Sequence, residues 1–205
     1  MSERARDRHA DPQGSGLLIL REDAQYRRIP GRQRVALVQA ALDDGRSLAD
    51  QISSRWGRDP SAIASNCNVP VRRSHEDGGY GGTVFYAEYI ARPCGITLYL
   101  PAIQKLDRLI AGQGQSYGRT AGTLPIFLAH ELYHHFDCQR GNARLSRRHA
   151  IPIFSIGAWH WKAGLSSLCE IAAGAFAQQL LGLPFHPKYL DSLVRADLAA
   201  RPELS

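Results

Sequence analysis

The apolar positions of this chain fall into blocks of two periods. Residues 32–43, RQRVALVQAALD, space theirs three and four apart and predict a helix that stops at Gly45. A second helix is expected from Ser47 through LADQISSRWG, with Asp50 completing a weak capping box. Beyond a turn at Asp59–Pro60, SAIASN reads as a short helix and VPVRR as a strand. The loop SHEDGGYGG, 74–82, holds too much glycine for regular structure. TVFYAEYIA (83–91) and GITLYLP (95–101) are β-branched and aromatic, and so close in sequence that they predict an antiparallel hairpin.

The period then returns to that of helices. PAIQKLDRLIAG, 101–112, has Pro101 in its first turn and Gly112 just past its end. The next helix carries LAHELYHHFD, 128–137, with Thr123 as N-cap, Pro125 in the first turn and Gly141 at the C-terminal cap. A linker without clear periodicity, 142–164, leads to LSSLCEIAAGAFAQQLL, a helix ending at Gly182 with Pro184 beyond. At the other end of the chain, LLILRED (17–23) reads as a strand or extended chain. Residues 1–16, alternating charges followed by Pro and Gly, read as a disordered tail. Helices, then about three strands, then helices argue an α+β fold with a small antiparallel sheet, in one domain spanning 17–205.

Composition narrows the classes. No run approaches the roughly 20 apolar residues that cross a membrane, and the N-terminus lacks the apolar stretch of a secretory signal, so a cytoplasmic protein is expected. The four cysteines, Cys67, Cys94, Cys138 and Cys169, form no CxxC pair and are expected to be buried reduced thiols. The net charge of +6 comes with 22 arginines and 3 lysines scattered along the chain, including the doublets Arg27–Arg28, Arg72–Arg73 and Arg147–Arg148. No nucleic-acid-reading motif accompanies them, so nucleic acid is not expected as a direct ligand.

The candidate chemistry lies in His130, Glu131 and His134, which spell HExxH inside a predicted helix. One turn separates the histidines, so both imidazoles leave one face and can hold one tetrahedral metal. Glu131 is then beside the first ligand, placed to take a proton from an activated water. His135 points about 100° away from His134, toward solvent or a separate network. A third ligand is needed. HExxHxxGxxH is excluded, because Asp137 and Arg140 occupy the required positions. Glu170, 36 residues after His134, can reach back from the last helix. Its face continues through the small residues Ala173, Gly174 and Ala177, which let helices approach closely. The other reading of Glu170 is a capping box with Ser167, its carboxylate spent on backbone donors.

HELYH after a hairpin and a helix, then Glu170, Ala173, Phe176, Ala177, Leu180, Leu181 and Pro184 as E-x-x-A-x-x-F-A-x-x-L-L-x-x-P, resembles the ImmA/IrrE-type zinc metallopeptidase domain, a gluzincin-like family, as a distant branch. The similarity covers residues 47–186. Tyr133 stands where that family often has glycine, and Ala172 and Gly174 replace its Glu/Gln and Asn. The resemblance implies a zincin-like fold, zinc held by His130, His134 and Glu170, and Glu131 as general base. The implied activity is hydrolysis of peptide bonds in a specific protein substrate. His160, between Trp159 and Trp161, ranks first among candidate transition-state stabilisers, ahead of His149, Tyr80 and Tyr133. Against an enzyme stands a non-catalytic metal-binding sensor or interaction module on the same fold.

Overall fold

The computed structural model describes residues 11–80, 83–112, 122–156 and 159–200. Asp11 caps the first helix, α1 (Pro12–Arg21), accepting hydrogen bonds from the Gln13 and Gly14 amides, with proline in the first turn. Residues 12–16, expected in the tail, and the apolar run after them are therefore helical, and Ile19 and Leu20 are buried in the core. Residues 1–10 of the expected tail lie outside the described residues.

The helix α2 (Gly31–Trp56) runs straight through Gly45, where a stop was expected. The reason is packing. A methyl on Gly45 would overlap the Ala172 carbonyl, so this residue lets α2 lie directly on α7 (Ser166–Leu181). Tertiary contact outweighs the roughly 1 kcal/mol that mid-helix glycine costs. The short α3 (Pro60–Asn66) and the strand β1 (Val71–Ser74) follow as expected, α3 capped by the Asp59 carboxylate.

The short strands β2 (Gly79–Tyr80) and β3 (Thr83–Val84) pair with each other. β4 (Ala87–Ala91) and β5 (Cys94–Tyr99) form the expected hairpin, shorter than its sequence pattern. β1 joins β5 on the other side, in parallel, so the three-stranded sheet β1-β5-β4 is mixed rather than antiparallel. A parallel neighbour requires a crossover. Here it is the chain between β1 and β5, which first supplies β4 to the other edge.

After α4 (Leu100–Gly112) comes α5 (Leu124–Gln139), the HExxH helix. Thr123 occupies its N-cap position without a side-chain cap; the Thr123 amide instead donates to the Asp107 carboxylate at 2.8 Å. The expected linker holds structure: a single turn α6 (Leu145–Arg148) and a separate two-stranded ribbon, β6 (Ile151–Ile156) with β7 (Trp159–Ala163). Beyond α7, which ends before Gly182 as its sequence predicts, α8 (Lys188–Ala200) was not foreseen. The fold is α+β. α2, α5 and α7 form one core with the sheet, and α4 and α8 close a smaller one around Phe185 and Leu190. No helix among the described residues is long and apolar enough to cross a membrane.

Candidate metal centre

Two core helices supply the site. Buried Ile126, Leu128, Ala129, Leu132, Tyr133 and Phe136 pin α5 against α7 and the sheet. This fixes the remaining face, where His130 and His134 sit one turn apart with about a fifth of each side chain exposed. α7 crosses it with Glu170, half exposed.

Four donor atoms on three side chains converge. His130 Nε2 and His134 Nε2 are 3.2 Å apart. Glu170 Oε2 lies 3.2 Å from the first and Oε1 3.4 Å from the second. Zinc bonds of about 2.0–2.1 Å to nitrogen and oxygen give tetrahedral ligand separations of about 3.3 Å. The three side chains lie close enough to share one ion, and their nitrogen and carboxylate donors are of the kinds zinc takes. Among the described residues no other group of His, Cys, Asp or Glu comes together in this way.

The capping-box alternative for Glu170 fails on geometry. α7 begins at Ser166 without a side-chain cap, and the Ser167 amide donates instead to the Asp23 carboxylate at 3.1 Å.

Electrostatics agree with these roles. Burial disfavours the Glu170 charge, but the hydrogen bond and charge of His130, the charge of His134 and that of Lys188 outweigh it and hold the carboxyl down at about 2. His134 is held neutral, to about 4, by burial and then by repulsion from His130. Burial also opposes charge on His130, yet Glu170 and then Glu131 win and raise its pKa. Glu131 is buried beside the trio, and that burial pushes its carboxyl up to about 7. The backbone N–H of Tyr89, on edge strand β4, donates to it. A carboxyl that titrates near neutrality can both take and return a proton at ordinary pH.

A cleft of about 310 Å³ is lined by His130, Glu131 and Glu170. One wall is apolar, with Tyr86 stacked on Phe127 at 4.5 Å and Phe85 at the lip. The opposite rim carries Lys188, bridged to Glu22 at 3.3 Å and Asp191 at 3.0 Å.

The other sequence candidates go elsewhere. Tyr133 is fully buried, its hydroxyl donates to Asp44 at 2.9 Å, and it does not line the cleft. Asp44 also receives Arg140 at 2.7 Å and Arg148, so this tyrosine is a structural anchor. His149 does not line the cleft; it follows α6 and feels the charges of Arg148 and Asp44. His135 is buried in a separate network, with Nδ1 3.6 Å from Cys94 Sγ and Nε2 2.7 Å from the Gln139 amide. His160 lies on β7 opposite Ser155, and Tyr80 on β2; both side chains are outside the described structure. All four cysteines are free, but Cys94 is exposed and the others only half-buried, which corrects the expectation of buried thiols.

Sequence reasoning missed the rim charges Glu22, Lys188 and Asp191, the Tyr89 amide and His186. Helical spacing of Leu190, Leu193 and Val194 after the Pro187 break was the available signal for α8 and its rim residues. A backbone donor has no sequence signal. Comparison with protein-family models, with curated proteins and with solved structures finds no match.

Proposed function

We propose that the chain is a zinc-dependent metallopeptidase that hydrolyses peptide bonds of a protein substrate in the cytoplasm, as the resemblance to ImmA/IrrE-type domains implies. One observation carries this reading: His130, His134 and Glu170 come within reach of one ion beside a buried carboxyl of near-neutral pKa, at a cleft lined by His130, Glu131 and Glu170. His130, His134 and Glu170 would hold the zinc, which supplies Lewis-acid activation of water and of the scissile carbonyl.

The chain's own residues do the rest. Glu131, oriented by the Tyr89 amide, takes the proton of the attacking water and delivers it to the leaving amine. The apolar wall of Phe85, Tyr86 and Phe127 holds the substrate and limits water around the reacting bond. Four free thiols fit a reducing compartment.

Glu131→Gln is the test, because a glutamine of the same shape leaves the ligands in place and removes the base. Zinc-loaded wild type should cleave members of an unstructured peptide mixture scored by mass spectrometry. The variant should hold the same zinc and lose cleavage. Equal cleavage by both proteins would contradict the assignment of the base. Zinc binding with no cleavage by either would favour a metal-binding module instead.

A further inference from the structure

The β6–β7 ribbon carries a surface that the metal centre does not use. Its base is anchored, with Ile151 only 8% exposed. Farther along, the cross-strand partners Phe154 and Trp161 are 59% and 73% exposed. Direct cross-strand partners present their side chains on one face, so two large aromatic groups lie side by side in water.

The segment that contains the ribbon carries charge of one sign along the sequence. Between Cys138 and Cys169 the chain has five cations, Arg140, Arg144, Arg147, Arg148 and Lys162, and no Asp or Glu. Arg140 and Arg148 are offset by Asp44, but among the described residues Arg144 and Arg147 bond to neutral acceptors, the Cys138 carbonyl and the Asn142 amide oxygen. Lys162 is exposed. A second segment adds to this: the Arg28 guanidinium donates to the Ile153 carbonyl at 2.8 Å, which brings exposed Arg27 and Arg28 to the flank of the ribbon.

An occupant must therefore offer flat apolar faces and negative charge together. We propose that the ribbon docks single-stranded nucleic acid, with bases stacked on Phe154 and Trp161 and phosphates drawn to the exposed arginines beside it, Arg27 and Arg147. A duplex hides the faces of its bases. A second copy of the ribbon would bring one acid-free stretch against another and repel. The sequence hid this surface, because the arginines are scattered and only the fold brings the 27–28 doublet to the ribbon. The proposal is independent of the metal centre.

The test is fluorescence anisotropy of the full chain with a labelled oligothymidylate of about 20 nucleotides over a range of salt. A duplex of equal length and a polyglutamate peptide serve as competitors. Two double variants, Phe154→Ala with Trp161→Ala and Arg27→Glu with Arg147→Glu, alter exposed residues, and melting curves check their folding. The expected result is binding that the duplex and polyglutamate displace poorly. It should weaken about tenfold or more in the aromatic variant. In the charge variant its salt slope should flatten by about 1.4, at 0.7 per phosphate contact. Absence of binding at low salt, displacement by polyglutamate at equal charge, or indifference to both variants would overturn the proposal. So would a dimer in sedimentation that the aromatic variant disperses, since the surface would then belong to a second copy.

Discussion

Two histidine environments meet α7 one turn apart and have opposite meanings. His186 packs over Gly174, where an added methyl would overlap its ring, and is 1% exposed. Its Nε2 donates to the Ile171 carbonyl at 3.3 Å and its Nδ1 accepts the Lys188 amide at 3.2 Å. Both nitrogens are spent on neutral backbone, and burial holds the ring neutral, down to about 4. His130 and His134 instead turn their Nε2 atoms toward each other and toward Glu170. A histidine whose partners are backbone groups is part of the fold. Histidines whose partners are one another and a carboxylate are arranged as the proposed ligand set requires.

Substitutions can break that distinction, and the largest effect belongs to the chemistry. Glu131→Gln should lower peptide cleavage by about a thousandfold, within the range for loss of a general base, with zinc content unchanged. Steady-state rates with elemental analysis of the same samples check it.

Next come the packing substitutions. Gly45→Ala pushes a methyl into the Ala172 carbonyl and should cost about 2–3 kcal/mol in urea unfolding, despite alanine's better helix propensity. It tests whether glycine holds α2 against α7 tightly enough to aim Glu170, so zinc affinity should fall along with stability.

The pH dependence of His186 follows. Its folded pKa, about 4, lies below the 6.5 of an ordinary histidine, so the unfolded chain binds more protons between those values. Stability is complete above pH 6.5 and is lost as pH falls toward 4, by up to about 3 kcal/mol. His134 is depressed over the same window, so the comparison is made on a His134→Ala background with and without His186→Gln. The slope should persist in the first protein and flatten in the second. The smallest effect is that of Tyr133→Phe, which frees Asp44 of one donor while two arginines remain, and should cost about 1 kcal/mol without changing zinc content.

Much of this architecture was legible from pattern. The HExxH helix, the β4–β5 hairpin and the Glu170 helix stand within a residue or a few of their expected ends, since strong periodicity and Pro or Gly punctuation coincide there. The errors share a cause. Gly45 reads as a stop until Ala172 lies against it, and LLIL reads as a strand or extended chain until the Asp11 cap is counted. Gly174 was assigned to close helix approach near the ligand; its neighbour is the His186 ring, which lies 12 residues further on. The parallel pairing of β1 is non-local and has no local signature.

The measurement that tests the central claim most directly is zinc per chain by elemental mass spectrometry, on wild type and Glu170→Ala purified and reconstituted side by side. The account predicts one zinc in the wild type and a clear loss in the variant. A wild type that holds no zinc after reconstitution would contradict it, leaving His130, His134 and Glu170 as a hydrogen-bonded trio that serves only the fold.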